Sequence, residues 1–257
     1  MRYEIFDCPI DVLTKAETVA IVREAMKIRK PMTHVALNVA KLVNMRFDPV
    51  LAEDVKNSDL IGIDGMGIVL AARLLGFHVK ERVAGIDLFE EALATCATDG
   101  FRPFFLGATP EILARAVAAV RTRFPAIQFA GFRDGYFKQN QENEVVEEIR
   151  KSGADCLFIG MPTPRKERFL AAHRHNLGVS FVMGVGGSFD VIAGHVNRAP
   201  SWIQNFGLEW LYRVYQEPRR MWWRYLRTNT IFTGMMIRAI GERLNSSLHN
   251  HTAGTKA

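Results

Sequence analysis

From Phe101 to Gly187 the sequence alternates between two periods. Short apolar runs, RPFFLG, IQFAGF, DCLFIGM and VSFVMGVG, are separated by segments of helical spacing, PEILARAVAAVRTRF, ENEVVEEIRKSG and RKERFLAAHRH. A strand that is apolar on both sides cannot face water, and a helix after each strand supplies its cover. The pattern therefore commits the chain to a parallel sheet layered by helices. The N-terminal part reads the same way, less regularly. It has a short strand pair in RYEIFDCPIDVL, a helix over KAETVAIVREAMKIRK, strands THVALNV and DLIGID around a polar helical stretch interrupted by Pro49, and a helix GIVLAARLLG ending at Gly76. Asp87 is placed to cap a further helix, LFEEALATCATDG. The expected fold is a Rossmann-like, doubly wound, mostly parallel α/β sheet.

The chain has 257 residues, 48% of them hydrophobic, enough for one substantial core. Sheet-type patterning stops near NRAPSW. This predicts an α/β body over 1–197, a helical appendage over 198–246 and a disordered tail over 247–257. From Arg198 onward nine Lys or Arg residues face three acids, which accounts for the whole net charge of +6. All four tryptophans, Trp202, Trp210, Trp222 and Trp223, fall in the same segment. A neutral body thus carries a basic, tryptophan-rich end, which points to an anionic or interfacial partner. Arg220, Arg224 and Arg227 share one helix face, interleaved with Trp222, Trp223 and Tyr225. A charge run is ordinarily a solvated face; the interleaved aromatics favour a membrane surface or a lipid diphosphate.

No stretch reaches the roughly 20 apolar residues that span a bilayer, and the first twenty residues lack a signal-peptide pattern. Cys8, Cys96 and Cys156 are scattered and odd in number, as expected of reduced cytoplasmic thiols, and form no zinc motif. Neither D-x-D nor G-x-x-x-x-G-K-[ST] occurs, so no metal and no cofactor is expected. The expected location is cytoplasmic, peripheral at the inner face of the cell membrane.

Five strand-end turns stand out: DGMG (64–67), LGATP (106–110), FRDGYF (132–137), GMPTPRKE (160–167) and GVGGSFD (184–190). In a parallel sheet such turns gather on one edge, where helix N-termini offer amides to phosphate. None has the G-x-G-x-x-G spacing with its downstream acid, which weighs against a dinucleotide oxidoreductase. Asp64 closes the apolar run IGID. From the pattern alone it is equally a helix cap or a general base, with Arg82 as an adjacent cation. Asp190 is read as a cap or a ligand contact, the cap somewhat favoured, and His34, His78 and His195 as structural.

In order, LNVAKL, DLIGIDGMGIV, ERVAGIDL, FFLGATPE, GFRDGYF, DCLFIGMPTPRKE, GVGGSFDVIAGHVNRAP and GLEWLYRVYQEPRR resemble the WecG/TagA/CpsF family of bacterial glycosyltransferases. The resemblance implies an inverting, metal-independent hexosyltransferase moving a sugar from a UDP-sugar to an undecaprenyl-diphosphate-linked sugar in cell-surface polysaccharide synthesis. It implies Asp64 as the base, with Arg82 beside it. Substrate contacts are expected at Asn38, Gly107, Asp134, Lys166, Glu167, Gly186, Gly187 and Asp190. Arg213, Arg220 and Arg224 are expected at the acceptor diphosphate, and Trp222 and Trp223 at the membrane. Lys166 stands where many members have glutamine, and Ala36 where some have threonine, both in the donor pocket. No nucleic-acid partner is expected, and a homo-oligomer is compatible with the reading. The rival from another class is a non-catalytic nucleotide-binding module that docks on a membrane or on nucleic acid through its basic end.

Overall fold

The computed structural model describes residues 1–253; the side chains of Arg220 and of residues 244–253 lie outside that description. So do residues 254–257, the last four of the tail expected over 247–257; the backbone of 247–253 continues α12 rather than forming an irregular tail. The chain runs β1 (Arg2–Ile5), β2 (Cys8–Asp11), α1 (Lys15–Lys27), β3 (Met32–Leu37), α2 (Val39–Met45), α3 (Pro49–Lys56), β4 (Leu60–Ile63), α4 (Met66–Leu74), α5 (Gly85–Asp99) and β5 (Pro103–Gly107). It continues through α6 (Pro110–Arg123), β6 (Gly131–Arg133), α7 (Glu142–Ser152), β7 (Cys156–Gly160), α8 (Arg165–His173), β8 (Phe181–Gly184) and α9 (Ser188–Ile192), then α10 (Ser201–Asn205), α11 (Glu209–Gln216) and α12 (Pro218–Ala253).

The eight strands form one sheet in the order β1-β2-β4-β3-β8-β7-β5-β6, parallel except for the β1–β2 hairpin at one edge. The alternation along each strand explains the two helical layers. Phe105, Cys156, Phe158, Phe181 and Met183 point to the side covered by α1, α5, α6 and α9. Phe104, Leu106, Leu157, Ile159 and Val182 point to the other, under α7 and α8. On that second side Val35, Leu37, Ile61 and Ile63 are covered by α2, α3, α4 and α12. The mixed α/β architecture read from the sequence is present, with helices on both faces of a mostly parallel sheet.

Local chemistry sets many of the boundaries. Thr14 and Glu17 form a reciprocal capping box on α1, and Asn38, Asp48 and Thr109 each accept an amide at the start of α2, α3 and α6. The polar stretch around Pro49 is therefore two helices, with Pro49 in the first turn of the second. The strand expected in IQFAGF contracts to Gly131–Arg133, an edge segment paired on one side only. The C-terminal helices lie against the body: Met235 and Met236 of α12 belong to the apolar cluster that holds α2 and α4, and Phe232 meets Phe6 in the β1–β2 turn.

At Gly107 φ is +118° and an added Cβ would lie 2.7 Å from the carbonyl carbon of Gly160, so both the backbone angle and the space demand glycine. Gly107→Ala is expected to cost about 2 kcal/mol or more, read as a lowered midpoint in urea denaturation.

Candidate active site

Parallel register places the functional turns side by side. Leu37 pairs with Ile63, Gly107 with Gly160, Leu106 with Arg133 and Ile159 with Gly184. The segments that follow, beginning at Asn38, Asp64, Ala108, Asp134, Met161 and Val185, therefore leave the same edge of the sheet. This is the edge where α/β folds bind ligands.

Asp64 is partly buried there. It does not cap α4, whose N-cap is Gly65 with no side-chain hydrogen bond. Its Oδ1 instead accepts the amide of Gly85, the first residue of α5, at 2.8 Å. That bond supplies the cap that Ala84, the N-cap of α5, has no side chain to give. It also explains why α5 begins at Gly85, ahead of the start that an Asp87 cap would have set. Asp87 lies in the first turn and pairs with Arg198 at 2.6 Å. Asn38 spends its carbonyl oxygen on the Lys41 amide, leaving its NH2 to bond Asp64. Withdrawal from water pushes the Asp64 pKa above the usual carboxylate value. The Gly85 amide, the Arg82 charge and Asn38 pull it back, while Glu209 adds to the rise. A carboxylate held this way is suited to accept a proton.

The C-terminal segment reaches over the same edge. Glu209 and Arg213, one turn apart on α11, project to two neighbouring places. Glu209 accepts from Arg82 at 2.9 Å. The guanidinium of Arg213 borders Gly187, where an added Cβ would lie 2.7 Å from Nη2, and the Asp190 carboxylate borders the same point at 3.5 Å. A Cβ on Gly207, between α10 and α11, would lie 2.6 Å from Cγ of Met66, the first residue of α4. Asp190 does not cap α9, which starts after Gly187 with no side-chain cap bond.

The model of the glycosyl transferase WecG/TagA/CpsF family matches residues 3–246, almost the whole length. The chain belongs to this family of glycosyltransferases. A relative from Bacillus spizizenii, named N-acetylglucosaminyldiphosphoundecaprenol N-acetyl-beta-D-mannosaminyltransferase, is 37% identical over 193 residues, which cover 75% of this chain and 72% of the relative.

Within this family member the expected site residues fall into separate groups. Asp64, Asn38 and Arg82 come together, joined by Glu209. Arg213, Gly187 and Asp190 form a second group beside Gly186, whose φ is +52°. Gly107 and Asp134 lie at the ends of adjacent strands; Asp134 accepts the Tyr136 amide in a local turn. Lys166 and Glu167, in the first turn of α8, are buried beside the end of β8, where a Cβ added to Gly184 would lie 2.9 Å from Cε of Lys166. Glu167 Oε1 accepts from Lys41 at 3.0 Å and from Lys166 at 2.9 Å, and Lys166 also donates to Thr163. Trp222, Trp223 and Arg224 are exposed near the start of α12, whereas the Arg220 side chain lies outside the described residues. Glu209 was not among the residues singled out in the sequence. Its signal was the i, i+4 spacing to Arg213 in GLEWLYR, a spacing common on any helix.

Burial alone would raise the Glu167 pKa, but Lys41 and Lys166 outweigh it and hold it at about 2; burial, with Lys41, brings Lys166 down to about 8. A carboxylate depressed in the folded state contributes stability above its unfolded pKa, and that stability is lost as pH falls toward the folded value. Glu167→Gln strands two buried ammonium groups and is expected to cost about 3 kcal/mol at pH 7. The gap from wild type should narrow between about pH 4.5 and 2, as followed by urea denaturation at each pH.

Proposed function

We propose that this glycosyltransferase moves a sugar from a UDP-sugar to a sugar already carried on undecaprenyl diphosphate. Transfer proceeds with inversion and without metal, at the inner face of the cell membrane, as a step in cell-surface polysaccharide synthesis. The observation that carries this reading is the setting of Asp64, a carboxylate drawn out of water at the strand edge with Arg82 and Asn38 beside it. The name of the Bacillus spizizenii relative, which describes glycosyl transfer to a lipid-diphosphate-linked sugar, supports the acceptor class.

Asp64 takes the proton from the acceptor hydroxyl as that oxygen attacks the anomeric carbon opposite the departing UDP. The new glycosidic bond forms as the bond to UDP breaks, and the electron pair leaves with the diphosphate. Its charge is met by Arg213 and by the amides of the turns at Gly107 and Gly186–Gly187. Asn38 and Arg82 fix the carboxylate, and Asp134 and Asp190 offer acceptors for sugar hydroxyls. Lys166 and Glu167 support the donor pocket from below.

Residues 198–246 face the acceptor and the membrane. Trp202, Phe206, Tyr215, Trp222 and Trp223 are each more than half exposed on these helices, with Arg224 nearby. Among the described residues no helix is long and apolar enough to cross a membrane, so contact on this reading is interfacial.

Acceptor-dependent UDP release is expected with one member of a UDP-sugar panel, using a short-chain lipid-diphosphate-linked sugar in the presence of chelator. Asp64→Asn should lower that turnover by roughly 10²–10⁴-fold with the fold intact by circular dichroism. Wild-type turnover in Asp64→Asn would remove it as the base. Silence of the wild-type protein across the panel would favour the binding-module rival.

Trp222→Ala combined with Trp223→Ala should weaken sedimentation with anionic phospholipid vesicles by on the order of tenfold, leaving the melting temperature unchanged.

A further inference from the structure

The Arg82–Glu209 pair joins residues 127 positions apart, one from the loop before α5 and one from the C-terminal helices. The arginine side chain is 13% exposed and the glutamate 32%, so solvent screens the pair only in part. Neither helix α11 nor the 77–84 loop has another ion pair across this contact among the described residues. The groups facing Asp64 can be named element by element. The Asn38 side chain comes from the β3–α2 junction, the Gly85 amide from α5, the Arg82 cation from the preceding loop and the Glu209 anion from α11. The next acid on α5, Asp87, is neutralised by Arg198.

We infer that Glu209 is a positioning residue which ties the Arg82 guanidinium to α11 and offsets its charge beside Asp64, so that the charge around the base depends on the C-terminal helices being seated. The inference rests on Asp64 being the base. When α11 is in place, Glu209 supplies a negative charge and restrains Arg82, a cation that favours ionised Asp64. The base therefore keeps its affinity for a proton only while the acceptor-facing helices are docked. If α11 moves off, Arg82 is released and Asp64 becomes a weaker base, which favours transfer in the assembled site.

The test uses the full chain. The pH dependence of kcat/KM is measured for wild type, Glu209→Gln and Glu209→Asp. In parallel, the Asp64 carboxyl is titrated by carbon-13 NMR, its resonance assigned by its loss in Asp64→Asn. In Glu209→Gln the Asp64 midpoint and the acid limb of the profile should both move to lower pH, and Glu209→Asp should restore them. A merely structural salt bridge would change the melting temperature without moving either. An unmoved midpoint in folded Glu209→Gln, or a move to higher pH, overturns the inference. A midpoint that moves while the acid limb stays would retain Glu209 in this role and remove Asp64 as the base. Arg82→Gln gives an independent check, because losing the cation while Glu209 keeps its charge must raise the midpoint; a fall there overturns the inference as well.

Discussion

The hydrogen bond from the Gly85 amide to Asp64 is the join on which the rest of the site depends. A helix start leaves amides without partners, and a carboxylate drawn out of water needs donors. Here each answers the other across two elements far apart in sequence. The bond fixes where α5 begins, and the start of α5 fixes what flanks it. Arg82 falls three residues before and Asp87 two residues after, and each meets a partner from the C-terminal segment, Glu209 and Arg198.

Those C-terminal contacts differ in kind. Met221, Met235 and Met236 are buried, and closing apolar surface of that size contributes about 1.5–3 kcal/mol per side chain. The ion pairs at Arg82 and Arg198 are partly wet and contribute about 1 kcal/mol or less each. The central part of α12 is thus tied to the sheet by its methionines, while α10 and α11 are placed over the site by polar contacts and by the seat of Gly207 on Met66. Outward from them Trp202, Phe206 and Tyr215 leave large apolar rings in water. That cost is relieved by any apolar surface brought against them.

The layers of the fold were legible because the apolar period is a local property. Phe104, Phe105 and Leu106 announce a strand buried on both sides before any partner is known. The strand-edge location of Asp64, Asn38 and Gly187 followed from the same pattern, since parallel strands end together. Pairings between distant segments were not legible. Nothing near Asp64 in the sequence says that its cap bond goes to Gly85 rather than to its own helix, and nothing near Glu209 names Arg82. Lys166 and Glu167 show a different gap. RKERFLAAH reads as a helix carrying two substrate contacts, and nothing in it says that Lys41 from α2 closes over Lys166 and Glu167. The bounds of α5 and β6 shifted for similar reasons, one set by a remote cap and the other by lying at the sheet edge.

The contact between Phe6 and Phe232 has a consequence for how the chain is made. Ile5, Cys8 and Ile10 share their apolar cluster with Met235 and Met236, which come far later in the chain. The β1–β2 hairpin cannot complete its cover until α12 has been made, so one of its faces stays unfinished while the elements between them are synthesised. The half of the sheet built from β5 to β8 has its helices close at hand in sequence and can close its cluster without that delay. Its assembly ahead of the half built from β1 to β4 would make α12 the latch of the core.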